Sequence, residues 1–387
     1  MANTTSYMFH KRIHRISVLF LLLITSQLCG CSVSRTMQTS TLFAMDTVME
    51  LQILGDEELL RDGEGIIRRI EKSLSVTSNS SDISELNEQG NVPLEEWECD
   101  LVKETLDICD STDGALDITI YPVLKAWGFT TSEYRVPTKE ELAGLLDNVD
   151  YHKVDLNYKG RNSNNNGTGD KTSGDSDIQK QFAGSCTIPE GAQVDLGSVA
   201  KGYTSRTLYE YFTEKGVTSG LINLGGNVQC IGSKPNGDAW NVAVKSPFKD
   251  SASGILGVLK ASDEAVVTSG GYERYFEEDG KTYWHIIDPA TGKPAENGLI
   301  SVTIIGKDGL LCDGLSTALF VKGLDGAAEY YREHRAISTN TDTETESDKT
   351  FDMILVTEDS EVYVTEGISD RFSLSSEYYN LNVHVIN

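Results

Sequence analysis

The segment from Thr268 to Thr317 constrains this chain more than any other. It contains a Thr-Ser-Gly-Gly turn, then His285 followed by Asp-Pro-Ala-Thr-Gly, and finally Asp313 and Thr317 four positions apart. An N-cap at Asp313 and a C′ glycine at Gly323 predict a short helix, and positions i and i+4 of a helix share one face. Both oxygens could therefore bind one hard cation such as Mg²⁺, which prefers oxygen ligands and works with phosphates. The alternative is that Asp313 only caps the helix and Thr317 only packs.

The N-terminus has the pattern of a bacterial export signal. Basic residues precede an apolar run at residues 16–24 that is too short to span a bilayer comfortably. The sequence Leu-Cys-Gly-Cys that follows is typical of a lipobox, in which the last residue, Cys31, is lipidated. We therefore predict a lipoprotein signal peptide at residues 1–30 and an exported protein that its lipid anchors to the outer face of the cytoplasmic membrane. The alternative is an uncleaved anchor.

The rest of the chain divides into a tether and one domain. Residues 31–42 are rich in Ser and Thr and predict a tether, whereas residues 43–387 carry the periodic patterns of a folded domain. From Phe43 onward, apolar residues alternate with polar ones, which predicts a half-buried strand. Two tracts, at residues 159–181 and 338–350, are so poor in apolar residues that they predict polar loops within that domain.

The chain is strongly acidic, with 33 Lys and Arg against 59 Asp and Glu and a net charge of −26. Loss of the signal peptide removes three basic residues and no acidic one, so the mature chain is more acidic still. Such a surface repels nucleic acid and anionic lipid, and we predict no nucleic-acid partner. A phosphate-containing ligand would therefore need local positive charge or a bound metal.

Five cysteines follow the lipobox, and no two of them form a Cys-x-x-Cys pair, so a zinc or redox site has little support. Because their number is odd, at least one thiol is predicted to be free or paired between chains. The five are Cys99, Cys109, Cys186, Cys230 and Cys312.

A second informative segment reads VDLGSVAKGY and spans residues 194–203. A strand-like stretch runs through Gly197 and Ser198 into a predicted helix, and the free N–H groups of a helix N-terminus bind anions. Lys201 lies in the first turn, where a cation is poorly placed for the helix dipole, which indicates that it binds an anion. The alternative is a solvated Lys. The segment matches neither a P-loop nor a Rossmann motif.

Taken in order, the motifs of the chain resemble those of the ApbE family of flavin transferases, the FAD:protein FMN transferases. The resemblance extends from Phe43 to the C-terminus. It rests on Met45-Asp46-Thr47, GALD at 114–117, WGF at 127–129, DLGSVAKGY at 195–203, NLGGN at 223–227, TSGGYERYF at 268–276, HIIDPATGKP at 285–294 and DGLSTA at 313–318. One departure is Thr77, which stands where many relatives carry an aromatic residue that stacks on the flavin.

The resemblance implies an α+β fold of mixed, largely antiparallel sheets with packed helices, similar to the T-fold. It also implies an enzyme that cleaves FAD with Mg²⁺, passes FMN to a Thr or Ser hydroxyl of an acceptor protein and releases AMP. The implied acceptor is a subunit of a redox pump or of an electron-transfer chain. The implied metal ligands are the Ser198 carbonyl, Asp313 and Thr317. The implied FAD contacts are Met45, Ala115, Leu116, Asp117, Lys201, Thr268 and His285.

The chemistry of these residues agrees with such a reaction. Splitting a diphosphate requires neutralisation of negative charge, which a metal and Lys201 can supply. A hydroxyl nucleophile must lose its proton, and either His285 or Asp288 could act as the base or as a positioning group. Two alternatives are an FAD hydrolase, in which water replaces the acceptor, and a lipoprotein that binds flavin without chemistry. A binding protein would not need Asp313, Thr317 and Lys201 together.

The lipobox generates a prediction about location. We expect Cys31→Ala to leave the protein soluble or unprocessed, because stable membrane anchoring depends on the acyl chains. Membrane fractionation followed by immunoblotting measures this, with Cys29→Ala as a control that keeps the modified cysteine. A Cys31→Ala variant that fractionates with membranes as the parent does would contradict the lipobox.

Overall fold

Seven α-helices pack around five β-sheets in the computed structural model, which describes residues 36–160, 181–338 and 350–387. The predicted signal peptide, Cys31 and most of the two polar tracts at 159–181 and 338–350 lie outside the described residues. None of the helices in the described part of the chain is both long and apolar enough to cross a membrane.

The helices and strands alternate irregularly along the chain. The helices are α1 Glu57–Leu74, α2 Asp82–Gln89, α3 Glu96–Ser111, α4 Tyr121–Trp127, α5 Lys139–Leu146, α6 Ala200–Glu214 and α7 Gly309–Ser338. The strands are β1 Met37–Ala44, β2 Thr47–Leu54, β3 Asn91–Glu95, β4 Asp155–Asn157, β5 Phe182–Thr187, β6 Ser219–Leu224, β7 Asn227–Gly232, β8 Trp240–Lys245, β9 Ile255–Ala261, β10 Ala265–Gly270, β11 Tyr275–Glu278, β12 Lys281–Trp284, β13 Ile287–Asp288, β14 Lys293–Pro294, β15 Leu299–Gly306, β16 Phe351–Thr357, β17 Val362–Thr365, β18 Phe372–Leu374 and β19 Val383–Ile386.

The central sheet has nine strands in the order β1-β2-β6-β7-β10-β15-β16-β17-β19. Its neighbours pair antiparallel except for β17 and β19, which are parallel. Two three-stranded sheets, β18-β9-β8 and β3-β5-β4, and two hairpins, β11-β12 and β13-β14, complete the strands. The predicted α+β fold with mixed, largely antiparallel sheets is confirmed.

The two faces of the central sheet carry different layers. Successive side chains of a strand point to opposite faces, so Val267 and Ser269 of β10 face α7 while Val266 packs toward β8 and β9. At the other end of the helical face, Met49 of β2 and Phe212 of α6 are fully buried in one apolar cluster. The helices that carry the predicted site residues therefore lie on one face of the sheet.

The start of the domain differs from the prediction. Met37–Ala44 is a strand that pairs along its whole length with Thr47–Leu54, so the predicted tether is wrong for residues 37–42. The single strand predicted from Phe43 is interrupted at Met45 and Asp46, which have positive φ values of 48° and 60° and form a tight turn. Antiparallel pairing satisfies the backbone groups of a Ser/Thr-rich segment that composition alone reads as a tether.

The start of α7 also differs from the prediction. Asp308, not Asp313, caps this helix, because its Oδ1 accepts hydrogen bonds from the N–H groups of Leu310 and Leu311 at 2.8 and 3.2 Å. Asp313 therefore lies inside the helix, in its second turn. Gly323, with φ 73° and ψ −179°, interrupts the helix where a C′ residue is predicted, although helical residues resume beyond it.

The five cysteines after the lipobox are all buried and free, which confirms that at least one thiol is unpaired. Burial raises the pKa of the Cys109 and Cys230 thiols to about 12. These side chains act as small apolar groups of the core, not as nucleophiles or redox partners.

Two glycines allow α6 and α7 to touch. A Cβ atom at Gly202 would lie 2.3 Å from the carbonyl oxygen of Gly309 and 2.5 Å from the Cβ of Asp313. The contact is reinforced by Arg206 of α6, whose Nη1 bonds Glu104 of α3 at 2.5 Å and Asp308 at 3.0 Å. The helix pair is therefore fixed by backbone contact and by a charged network around it.

This contact generates a prediction about stability. We expect Gly202→Ala to destabilise the protein by about 1–3 kcal/mol, because the added methyl group must push α7 away. Gly65→Ala in α1 is the matched control, because no atom beyond its chain neighbours and the surrounding backbone of its own helix lies within 4 Å of its Cβ position. Ala in place of Gly inside a helix should raise the free energy of unfolding by about 0.5–1 kcal/mol. Urea unfolding followed by circular dichroism measures both. If the two substitutions change the free energy of unfolding equally, the proposed close contact between α6 and α7 at Gly202 is wrong.

Candidate functional site

Asp313 is the buried carboxylate on which the candidate site is built. Its side chain is 6% exposed, and its Oδ2 accepts a hydrogen bond of 2.7 Å from the N–H of Gly202 in the first turn of α6. Burial raises the pKa of Asp313 to about 6, against the opposite effects of the Lys201 charge and the Gly202 N–H. A cation bound at this carboxylate would compensate a charge that is otherwise costly to bury.

The carbonyl of Ser198 lies just before Val199, the N-cap of α6, and outside the hydrogen-bond ladder of that helix. In a regular helix the N–H of residue i binds the carbonyl of residue i−4, as the N–H of Tyr203 binds Val199 at 2.9 Å. Gly202 lies in the first turn of α6, where N–H groups have no helical acceptor, and its N–H donates to Asp313. Within the described residues no backbone donor binds the Ser198 carbonyl, so this oxygen, at the same helix start, can coordinate a cation.

Thr317 lies one helical turn after Asp313, in the uninterrupted first part of α7. Its hydroxyl is 3.4 Å from that of Ser269 on β10, which in turn is 2.7 Å from the hydroxyl of Ser316. A row of hydroxyl groups therefore joins β10 to the turn of α7 that follows Asp313. The sequence expectation that Asp313 and Thr317 share a helix is confirmed.

These donors fit Mg²⁺ better than a transition metal. The Ser198 carbonyl, the Asp313 carboxylate and the Thr317 hydroxyl are all oxygen donors, and only one of them is charged. Mg²⁺ commonly takes one or two carboxylates and fills its other positions with phosphate oxygens and water. In the part of the chain that the structure describes, no three His, Cys, Asp or Glu side chains form a metal-binding cluster.

The positive charges of Arg274 and Lys201 lie close enough to His285 to lower the pKa of its ring. Burial first, and then the charges of Arg274 and Lys201, lower the pKa of His285 to about 4, so its ring is neutral near pH 7. Its Nδ1 is 3.1 Å from the carbonyl oxygen of Arg274, which can only accept a hydrogen bond. Nδ1 therefore carries the ring proton, and Nε2 keeps a free lone pair that can accept one.

Asp195 and Arg274 belong to this site, although the sequence patterns do not single them out. Asp195 precedes the turn before α6, and its Oδ1 accepts a hydrogen bond of 2.8 Å from Gly197. Burial raises the pKa of Asp195 above its ordinary value, against the smaller opposite effects of the Gly197 N–H and the Arg274 charge. Asp195 begins the motif DLGSVAKGY, and Arg274 lies in TSGGYERYF. In both motifs a charged side chain stands near glycines, and this pattern is the signal from which the two site residues could have been predicted.

Met45 reaches the site from the β1–β2 turn. Its backbone N–H donates to Glu71 at 2.6 Å, and its sulfur lies 4.0 Å from the hydroxyl of Thr204 in α6. Because Thr204 follows Lys201 by less than one helical turn, Met45 stands beside the predicted anion-binding end of that helix. Its half-buried side chain can line a ligand there.

Two of the three residues predicted to contact FAD at 115–117 have side chains that are already engaged within the protein. Leu116 is buried in the core, 3% exposed. Asp117 accepts hydrogen bonds from the N–H and hydroxyl of Thr119, at 2.8 and 2.6 Å, and from the N–H of Tyr151 at 3.2 Å. A ligand contact in this loop would come from the backbone or from the half-buried Ala115, because the Asp117 carboxylate holds the loop together.

Two predicted residues are not brought to the cation pocket by their side chains. The Thr268 hydroxyl lies 2.8 Å from that of Thr303, on the sheet face opposite to α7, whereas its neighbour Ser269 points toward α7. The Asp288 carboxylate accepts hydrogen bonds of 2.9 Å from Ala290 and Thr291 and stabilises a turn. Of the two predicted base candidates, His285 is therefore the one with a free acceptor next to the basic side chains.

The oxygen donors of α6 and α7, together with the nearby charges of Lys201 and Arg274, form a candidate site for a phosphate-containing ligand on an α+β scaffold. The chain belongs to the ApbE family, whose family model matches residues 45–339. It is 30% identical over 327 residues to an FAD:protein FMN transferase of Klebsiella pneumoniae, covering 84% of this chain and 90% of the relative. It is 28% identical over 290 residues to one of Vibrio cholerae, covering 73% and 79%.

Solved structures show the same architecture. The ApbE protein of Thermotoga maritima superposes with a TM-score of 0.70 at 27% identity, covering 86% of this chain and 98% of that one. The flavin transferase ApbE of Vibrio cholerae superposes with a TM-score of 0.65 at 22% identity, covering 89% and 100%, a likeness of fold.

The raised pKa of Asp313 generates a prediction about stability and pH. The folded-state pKa of about 6 exceeds the ordinary value of 3.8, so the protonated side chain stabilises the fold at low pH. That contribution is lost as the pH rises through 6, because the buried group must then be charged. We expect Asp313→Asn to stabilise the metal-free protein near pH 8 by on the order of 2 kcal/mol, and much less near pH 4.

Thermal unfolding in the presence of a chelator at the two pH values measures this difference. Asp370→Asn, at an exposed position, is the matched control and should change stability little at either pH. A stabilisation by Asp313→Asn that does not depend on pH would contradict the shifted carboxyl group.

Proposed function

We propose that this protein transfers FMN from FAD to a Thr or Ser hydroxyl of an acceptor protein, with Mg²⁺ and with release of AMP. The observation that supports this most directly is the buried Asp313 carboxylate, which is fixed by the Gly202 N–H in the first turn of α6, is acted on by the charge of Lys201, and shares a helix face with Thr317. The names of the curated relatives, FAD:protein FMN transferase, support the same reaction.

In the proposed reaction the acceptor hydroxyl attacks the phosphorus of the FMN half of FAD. The new bond joins that phosphorus to the acceptor oxygen, and the bond from phosphorus to the bridging oxygen breaks, so that AMP leaves with this oxygen. Mg²⁺, held by Asp313, Thr317 and the Ser198 carbonyl, would supply charge neutralisation on the diphosphate. Lys201 and Arg274 would neutralise the remaining negative charge, which develops most strongly on the leaving group.

His285 is proposed to receive the proton of the acceptor hydroxyl at Nε2. A pKa of about 4 makes the ring a weak base in the free protein, chiefly through burial and the charges of Arg274 and Lys201. A bound diphosphate would oppose those two charges and raise the pKa toward neutrality, where a base is most effective. Proton acceptance would therefore be coupled to the presence of FAD.

We also propose that the protein is exported and held by a lipid on Cys31 at the outer face of the cytoplasmic membrane. Strand β1 begins at Met37, so only residues 32–36 separate the proposed lipid from the folded domain. Five extended residues reach about 17 Å, which would keep the enzyme close to the bilayer. A membrane-associated subunit of a redox pump or electron-transfer chain is the proposed class of acceptor.

The test measures AMP release from FAD and flavin attached to protein. A candidate acceptor with an exposed Thr should accelerate AMP release by on the order of a hundredfold, because the bound hydroxyl is positioned at the phosphorus. The acceptor should gain a fluorescent label, stable to denaturing electrophoresis, with the mass of FMN minus water. The acceptor with Thr replaced by Ala is the control and should return AMP release to the rate without acceptor.

Variants of the cation pocket test the metal. Asp313→Ala should abolish transfer, and Thr317→Val should be partly rescued by higher Mg²⁺, since it loses one neutral oxygen and keeps its shape. Full transfer in the presence of a chelator would remove the metal from the mechanism. Rapid AMP release that ignores the acceptor, with free FMN as sole flavin product, would identify an FAD hydrolase. Exposed Thr77, which offers no ring to shield the flavin, makes this the alternative to exclude.

A further inference from the structure

A groove of about 460 Å³ lies beside the α4–α5 segment and is separate from the cation pocket. We call it the lysine groove. Its wall and floor include Val136, Lys139, Leu142, Lys281, Tyr283 and Lys293. Asp288 is the one predicted site residue among its lining residues, and the carboxylate of that residue is engaged in a turn.

The lysine groove is joined to the proposed reacting centre by the β11–β12 hairpin. This hairpin begins directly after Arg274 and ends directly before His285, and Lys281 and Tyr283 on β12 line the groove. His285 follows Lys281 by four positions, a distance of about 13 Å along an extended strand. One extended segment of another chain could therefore occupy the groove and present a hydroxyl near His285.

The charge of the groove is the opposite of that of the whole protein. Lys139 and Lys293 are exposed and, within the described residues, form no ion pair. Glu296, which also lines the groove, is held by Lys281 at 2.6 Å. In a chain of net charge −26, a groove with two unpaired lysines favours an acidic partner and attracts it from solution.

The shape of the groove favours a polypeptide over a nucleotide. The ring of Tyr283 packs against Trp127 at 5.3 Å and against Phe276 at 5.2 Å, and Lys281 lies over it at 5.3 Å. Trp127 is 2% exposed, so no open aromatic face is left for a base to stack on. Within the described residues β11 and β12 pair only with each other, which leaves strand edges that can bind an extended peptide.

We propose that the lysine groove is the docking site for an acidic, extended segment of the acceptor protein. The inference rests on the proposed transfer of FMN to a protein hydroxyl and names where the acceptor binds. The aliphatic surface of Val136, which is 39% exposed, and of Leu142 takes the apolar side chains of that segment. Lys139 and Lys293 bind its carboxylates, and the hairpin leads it toward His285.

The experiment uses the full chain in detergent and a fluorescent synthetic peptide with one central Thr and two Asp on either side. The test variant is Lys139→Glu/Lys293→Glu. The matched control, Lys234→Glu/Lys260→Glu, makes the same change of charge on the β8–β9 side of the protein. Fluorescence anisotropy measures peptide binding, quenching of flavin fluorescence measures FAD binding, and mass spectrometry measures FMN on the peptide.

We expect the groove variant to weaken peptide binding by about tenfold or more and to raise the KM for the peptide with little change in kcat. The control should match the parent, and a peptide with Lys in place of Asp should bind the parent more weakly than the acidic peptide. FAD binding should be equal in all three proteins, which shows that the variants are folded.

The outcomes separate this inference from the proposed function. If FMN is transferred to the peptide with equal KM for the groove variant and the control, the docking proposal is wrong and the proposed transferase function still holds. Equal binding of the Lys and Asp peptides, no binding of the acidic peptide to the parent, or displacement of the peptide by AMP would also overturn the docking proposal. Failure of every acceptor to receive FMN, with the peptide still bound in the groove, would count against the transferase alone.

Discussion

The hydrogen bond from the N–H of Gly202 to Asp313 is the interaction on which the candidate site depends. It exists only because Gly202 and Gly309 let the backbones of α6 and α7 meet, with no room for a Cβ atom between them. It fixes the carboxylate at the start of α6, where the Ser198 carbonyl has no backbone donor within the described residues. One contact between two helices thus brings a buried charge to a helix start that also carries a free carbonyl oxygen, and a hard cation binds both kinds of oxygen.

The basic side chains around this contact have two different roles. The chain has far more acidic than basic residues, yet Lys201 and Arg274 both lower the pKa of His285. The charge of Lys201 also acts on Asp313, and that of Arg274 acts on Asp195. Arg206, by contrast, is neutralised by Glu104 and Asp308 and serves to hold three helices together. Within the described residues Lys201 and Arg274 form no ion pair and lie where a diphosphate would bind in the proposed reaction, whereas the paired Arg206 stabilises the helices behind them.

The sequence predicts those parts of the site that depend on local periodicity. The four-residue spacing of Asp313 and Thr317 is sufficient to place them on one helix, and the glycine at 323 is sufficient to predict its interruption. The predicted ends of helices and strands are wrong where a nearby residue takes the same role. Asp308 caps the helix predicted to begin at Asp313, and the turn at Met45 and Asp46 divides the predicted single strand into two.

Features that arise only from the meeting of distant segments cannot be read from the sequence. The pairing of β10 with β15 decides that Thr268 faces Thr303 and that Ser269 faces α7, and no local pattern distinguishes these two adjacent hydroxyl side chains. The same holds for the free lone pair of His285, which follows from a carbonyl eleven positions earlier in the chain.

The free lone pair of His285 is held in position by aromatic residues that pack against the β11–β12 hairpin. A two-stranded hairpin is marginally stable by itself, so β11–β12 must be held by packing. Phe276 and Tyr283 of the hairpin pack against Trp127, and Phe129 contacts both Phe276 and the ring of His285. The WGF segment therefore supports His285, the proposed proton acceptor. Because His285 is held by the Arg274 carbonyl at the root of this hairpin, any loosening of the aromatic packing would move the acceptor and the nearby positive charge together.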